Sequence, residues 1–380
     1  MTGIKDLLKI MIDREASDLY LTVDRPPTYR IQGSTRSLDS PPFTNEQLES
    51  LATSLMRGQQ RGDFDANMEM NMALYYKELG RFRVNVFRQR GNVGLVFRHI
   101  KSSIISLDSL GLPQVMKQVA MTKRGLVLVV GATGSGKSTT LASMVDYRNQ
   151  NQAGHIITIE DPIEFVHEHR KSIITQREIG FDTTSYQMAL KNCLRQAPDV
   201  ILIGEIRDLE TMEAAMTFAE TGHLCLATLH SNNANQAIER IMNFFPVERH
   251  PQIYLQLSLN LRAIISQRLI PSLDGKRVPA LEVMLDTPRI KDLIKKAEID
   301  TLKEAMEQGV QEGCQTFDYV LLGLFRDGKI SLDQALVNAD SANNLRLKIK
   351  LEGVQTNDAG VARRNDGGQT KKTEGFHIHR

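Results

Sequence analysis

The chain has 380 residues, 41% apolar and 24% charged, the balance of an ordinary globular protein long enough for two or three separately cored domains. A formal net charge of +2 excludes any global argument for nucleic acid, so such a case would need a local patch. The three scattered cysteines, Cys193, Cys225 and Cys314, form no C-x-x-C pair and argue against a disulfide framework or a zinc module.

At the N-terminus Lys5, Asp6, Lys9 and Asp13 break up any signal-peptide core. No later apolar run reaches the ~18 residues of a membrane span, so a cytoplasmic chain without membrane insertion is expected. Ile4, Leu7, Leu8, Met11 and Ile12 recur at helical spacing over residues 3–15, a one-sided stripe suited to core packing. Residues 17–23 and 28–33 read as strands around Pro26-Pro27, and Thr44 with Gln47 predicts a capped helix over 45–57. In residues 81–88 the apolar Phe82, Val84 and Val86 alternate with Arg81, Arg83 and Asn85, and after a turn at Gly91-Asn92 the run 94–98 returns. This predicts a hairpin with several arginines on one face. That face is open to three readings: solvated surface, a nucleic-acid stripe, or arginines aimed at a phosphate on a neighbouring subunit. The near-neutral charge and the absence of Trp weigh against the second.

Residues 101–113, ending Gly111-Leu112-Pro113, read as a linker, and a short helix follows over 114–122. Strands at 126–130, 155–160, 199–204 and 223–229 then alternate with helices at 138–149, 184–196, 208–220 and 234–244. Such alternation predicts an α/β core with a largely parallel sheet. Pro246, Pro251, Pro271 and Pro279 punctuate the next stretch, and residues 287–350 read as helical. From Glu352 onward Gly, Asn, Asp and Lys dominate, the composition of a disordered tail.

Four motifs carry the chemistry. Gly131-Ala132-Thr133-Gly134-Ser135-Gly136-Lys137-Ser138-Thr139 follows an apolar strand and opens a helix, the context required by the phosphate loop G-x-x-x-x-G-K-[ST]. Backbone N–H groups and the helix N-terminus would hold the phosphates of ATP, Lys137 would reach the β- and γ-phosphates, and Ser138 would face Mg²⁺. In residues 199–208 a buried-type strand ends in Gly204-Glu205, with glycine where a metal-holding Asp usually stands, which leaves Glu205 to orient water. Glu160, Asp161 and Glu164 cluster around Pro162, either a solvated acidic turn or a loop that orders metal and water. His223 and His230 bracket the strand before Ser231; His230 stands where a γ-phosphate sensor sits, and His223 could brace the site or a subunit contact.

These segments, with Ala16-Ser17-Asp18-Leu19 and the 81–85 run, resemble the secretion ATPase superfamily, and more narrowly its PilT/PilU family of type IV pilus retraction ATPases, over residues 1–345. The resemblance implies a cytoplasmic homo-hexamer on the inner-membrane pilus machine, partnered by a PilT-type ATPase and a platform protein. It implies a PAS-like α+β domain at 1–100, a linker at 101–113, a RecA-like P-loop NTPase core at 114–286, a helical region at 287–350 and a tail at 351–380. From the motifs themselves, Thr133 to Thr139 would hold the nucleotide and Ser138 with the neighbouring carboxylate Glu160 the metal; the resemblance assigns Lys137 to phosphate binding, Glu205 to catalysis, Glu164 to the catalytic aspartate box, and His223 and His230 to the histidine box. Arg83 and Arg98 match its arginine fingers, with Arg195 a weaker match, which favours the third reading of the hairpin. Departures are Ala197 before Pro198, Ser231 after His230, and a degraded helix motif at 288–295; the last points to the accessory, PilU-type branch. An adaptor whose nucleotide binding regulates a partner motor stays open at this stage, as does, more remotely, a nucleic-acid translocase.

Overall fold

The computed structural model describes residues 3–31, 33–100 and 103–352, so the expected tail lies almost wholly outside the described residues. Six antiparallel strands form the N-terminal sheet: β1 (Asp18–Leu21), β2 (Thr28–Ile31), β3 (Ser34–Ser37), β4 (Glu69–Tyr76), β5 (Gly80–Gln89) and β6 (Asn92–Ile100), in the order β3-β2-β1-β6-β5-β4. Phe82, Val84 and Val86 of β5 are fully buried, with Val93, Leu95 and Phe97 of β6 beside them. Leu7, Leu8 and Met11 of the helix Ile4–Asp13 close over the same core, each buried apolar side chain adding about 1.5–3 kcal/mol relative to exposure. The helix Asn45–Leu55 opens with the reciprocal Thr44–Gln47 cap, at 3.0 and 3.3 Å. The β5–β6 turn lies at Arg90-Gly91 rather than Gly91-Asn92, since Gln89 pairs with Asn92 and both turn residues have positive φ.

Seven further strands follow: β7 (Gly125–Val130), β8 (Gly154–Glu160), β9 (Ser172–Glu178), β10 (Val200–Ile203), β11 (Leu224–Leu229), β12 (Leu261–Pro271) and β13 (Arg277–Leu285). The described residues divide into two compact units, one holding those up to Ser106 with Ala142–Glu205, the other Leu107–Leu141 with those from Ile206 onward. In the first unit β10 and β9 flank β8, both parallel to it. In the second, β11 and β12 flank β7 in parallel and β13 runs antiparallel on β12. Every residue of β7, β10 and β11 is buried, as expected of parallel strands covered on both faces.

The β12–β13 pair is absent from the sequence reading because Pro271 and Pro279 look like breaks. Pro271 is instead the last residue of β12, and Pro279 lies on β13, an edge strand where a missing N–H is tolerated. The helices Phe317–Arg326, Leu332–Val337 and Ala342–Leu351 pack Phe317, Leu321, Phe325, Leu345 and Ile349 against Ile270 and Ala280 of this pair.

Candidate functional site

The phosphate loop leaves the C-terminal end of β7 and enters the helix Lys137–Asn151. Gly131 has φ +151° and Gly136 φ +91°; a Cβ at the first would stand 2.5 Å from the Gln267 carbonyl oxygen, and at the second 2.7 Å from Gln267 Nε2. Only glycine lets the loop close down on β12 at these points. Lys137 Nζ donates to the carbonyls of Gly131 (2.8 Å) and Ala132 (2.9 Å). The Ser135 hydroxyl is buried without a partner among the described residues, a cost that a phosphate oxygen would relieve. A glycine cradle, a helix start, an ammonium and an orphaned hydroxyl together fit a polyphosphate.

Gln267 is the residue that sequence reasoning missed here. Its Oε1 accepts from the Thr140 hydroxyl at 2.7 Å, both groups buried, so β12 is tied to the first turn of the helix that follows the loop. The available signal was two polar residues, Ser266 and Gln267, interrupting the apolar run that precedes them on a strand.

His230 follows β11, whose Leu229 lies beside Val130 in parallel register, so the histidine emerges next to Gly131. With Gly131, Ala132, Asn232, Gln236 and Arg240 it lines a cavity of about 300 Å³. A neighbouring cavity of about 380 Å³ is lined by residues 131–135 with Asn232, Gln267, Arg268 and Arg277. His223 is elsewhere. Its Nδ1 bonds with the Thr221 hydroxyl (3.1 Å) and the Phe218 carbonyl (3.2 Å) at the start of β11. The six residues of β11 put roughly 20 Å between the two histidines, so the fold does not bring His223 to the phosphate loop of its own chain.

In the other unit the carboxylates gather at one end of β8 and β10. Glu160 Oε1 accepts from the Thr158 hydroxyl (2.6 Å) and from Gln176 Nε2 (3.3 Å). Burial raises the Glu160 pKa above its ordinary value; these bonds and one from the Glu164 backbone oppose the rise, and the Glu164 charge adds to it. Glu164 itself is exposed. Gly204 follows β10 and donates to the Ile159 carbonyl at 2.8 Å. A Cβ there would stand 3.0 Å from the Tyr186 hydroxyl and 3.1 Å from Glu160 Cα. Crowding by β8 explains why glycine occupies the place where an aspartate is usual, and it sets half-buried Glu205 at the same strand ends as Glu160.

Two further residues brace the connection from β8 to β9 and were not legible in the sequence. Gln176 on β9 donates to the Phe165 carbonyl (2.9 Å) and accepts from the His167 N–H (2.8 Å). Asn149, fully buried on the helix after the phosphate loop, donates to the Glu168 carbonyl and accepts from the N–H groups of Arg170 and Ser172. Among the described residues no group of three or more His, Cys, Asp or Glu side chains is arranged to hold a metal ion.

Arg83 and Arg98 are cross-strand partners on β5 and β6. Arg98 Nε donates to buried Asp18 at 2.9 Å, with Arg30 on the same carboxylate at 3.9 Å. Arg83 makes no ion pair among the described residues. Arg195 is exposed in the short turn Leu194–Gln196, which replaces the last part of the helix expected over 184–196. It is followed by Ala197 in a left-handed conformation, φ +50° and ψ +56°.

Residues 4–342 match the family described as "Type II/IV secretion system protein". The chain is 53% identical over 346 residues to the type IV pilus ATPase PilU of Pseudomonas aeruginosa, covering 91% of each chain. It is 43% identical over 341 residues to PilT, the type IV pilus retraction ATPase of the same organism, covering 90% of this chain and 99% of that one. A crystal structure of the pilus retraction motor PilT with bound ADP superposes with a TM-score of 0.86 at 42% identity, over 91% of this chain and all of that one. That likeness gives the fold its description, a RecA-like α/β core with an N-terminal domain. A phosphate loop at the end of β7, a histidine beside it, carboxylates at the ends of β8 and β10, and these likenesses identify the chain as a member of the type II/IV secretion system protein family and, within it, of the PilT/PilU ATPases.

Proposed function

We propose that the chain is a hexameric motor whose ATP hydrolysis powers retraction of a type IV pilus, and with it twitching motility. It would work at the cytoplasmic side of the inner membrane with a PilT-type ATPase and the pilus platform protein. The domain plan is the one read from the sequence, with the nucleotide held by the 114–286 core.

The observation that carries this reading is the loop itself: glycines closed onto β12, the Lys137 ammonium across the loop carbonyls, and the unpartnered Ser135 hydroxyl. The backbone from Thr133 to Thr139 binds the phosphates. Lys137 swings from Gly131 and Ala132 to the outer phosphates, where it offsets charge that grows during transfer. Glu205 orients the attacking water and takes its proton; Glu164 orders the water around it. His230, next to Gly131, reads whether the terminal phosphate is present. Arg83, with no acidic partner among the described residues, is the finger that reaches the nucleotide of a neighbouring subunit. Mg²⁺, when bound, supplies charge neutralisation, and Ser138 with Glu160 are the residues that would hold it.

The test is steady-state phosphate release by the wild type and Glu205→Gln, with the assembly mass measured on the same samples. The expected result is a loss of about 10²- to 10⁴-fold in turnover with an unchanged six-subunit mass. A Glu205→Gln protein hydrolysing ATP at the wild-type rate would overturn the assignment.

A further inference from the structure

Three of the hairpin arginines have acidic partners, and the partners differ in kind. Arg98 pairs with Asp18 and Arg88 with Glu49, both within the N-terminal part of the chain. Arg81 reaches 97 residues along the sequence: its Nη2 donates to Glu178 Oε2 at 2.7 Å. Glu178 is the last residue of β9 and is buried, its side chain 5% exposed. Two features tie this pair to the carboxylate turn. The same Oε2 atom accepts the backbone N–H of Ile163 at 3.4 Å, and Ile163 immediately precedes Glu164. Glu178 also lies directly opposite Glu160 in the β8–β9 register. The Arg81 guanidinium is the cation that meets the buried Glu178 carboxylate.

From this arrangement we infer that Arg81 and Glu178 are positioning residues for hydrolysis: the N-terminal sheet, through this ion pair, holds the turn that carries Glu164. Shifting Arg81 shifts the oxygen to which Ile163 is bonded, and so moves the Glu164 backbone. A displacement of the sheet is thereby felt at the turn as a change in water-ordering geometry rather than in nucleotide affinity, because the phosphate loop is braced separately by Gln267 and Thr140. The inference rests on the reading of Glu164 as part of the hydrolytic site.

The experiment is ATP turnover of the full chain for Arg81→Gln, Arg81→Lys, Glu178→Gln and the swap Arg81→Glu with Glu178→Arg. Affinity for a fluorescent ADP analogue is measured alongside. Each neutral variant is expected to lower kcat by about 10- to 100-fold, the cost of misplacing a group near the chemistry, with KM and ADP affinity within about twofold. Arg81→Lys should recover part of kcat and the swap more, since both keep an ion pair. A merely structural pair would lower thermal stability while kcat per folded protomer stayed at the wild-type value, and that result overturns the inference. Should a neutral variant fail to fold, the lysine variant and the swap still read the kcat–KM split. Glu164→Gln is run in parallel. If it loses turnover while the pair's variants do not, the positioning role fails alone; if Glu164→Gln turns over normally, the reading of the turn fails first.

Discussion

Strand β5 and strand β7 bury their apolar side chains in opposite ways. On β5 the buried Phe82, Val84 and Val86 alternate with Arg81, Arg83 and Asn85, so the strand presents one apolar and one polar face. On β7 all six residues are buried, and polar groups appear only where the strand ends, in the phosphate loop. The N-terminal sheet therefore presents its cations along a face, with Arg81 and Arg98 held on buried carboxylates. The core strands carry theirs at their ends, where backbone and short side chains are held to within hydrogen-bond distances. Along the face, each cation is set by the carboxylate it meets. Strand-end chemistry depends on local bracing.

Substitutions separate these two modes. The largest effect is expected from Arg83→Ala, which removes a face cation without touching the core: turnover should fall by about 10³- to 10⁵-fold while ATP binding is kept. Normal hydrolysis by the assembled variant would show that Arg83 is only solvated surface. Gln267→Ala attacks strand-end bracing. It leaves the buried Thr140 hydroxyl without its acceptor, so unfolding free energy should drop by about 1–3 kcal/mol. Because Gln267 lies under the loop, KM for ATP should rise, measured by initial rates, and an unchanged KM would remove it from the site.

Glu282 on β13 tests how much the core spends on burying charge. It accepts from the Ala234 N–H (2.8 Å) and the Ser266 hydroxyl (2.9 Å), which fixes the helix that begins after the His230 loop. Burial pushes its pKa up to about 7, opposed by the Ala234 bond. The folded state therefore binds this proton more tightly than the unfolded chain. The stability that this proton contributes is complete below the ordinary carboxylate pKa and is lost as pH rises through 7. The shift from 4.5 amounts to about 3 kcal/mol. Glu282→Gln should flatten that slope in denaturant titrations run from pH 5 to pH 8. The smallest effect belongs to Ala197→Gly. Relief of a left-handed alanine should raise stability by about 1 kcal/mol or less, seen as a modest rise in Tm.

The phosphate loop, the alternating core and the arginine hairpin were legible because each has a local signature: fixed glycine spacing, continuous apolar runs, a period of two. Strand β9 was not legible, since Ser172-Ile173-Ile174-Thr175-Gln176-Arg177-Glu178 has only two strongly apolar residues and follows a polar loop. Its β character comes from parallel pairing with β8, a contact the local sequence does not encode. The fates of the arginines were illegible for a related reason. Arg81, Arg83 and Arg98 are the same residue on adjacent strands, and only the fold separates the one on Glu178 and the one on Asp18 from the one with no acidic partner among the described residues. Gln267 and Asn149 were missed because a buried amide acquires meaning only from the backbone it faces.

The rims of the N-terminal sheet differ. On one side stands β3, four exposed residues, Ser34-Thr35-Arg36-Ser37; on the other stands β4, eight residues long. A short, polar, charged rim makes a poor template for a foreign strand, whereas a longer one is better suited. Growth of a fibre through a sheet needs both rims to be competent. Strand addition to this sheet would therefore stop at a pair, which guards the folded chain against runaway stacking.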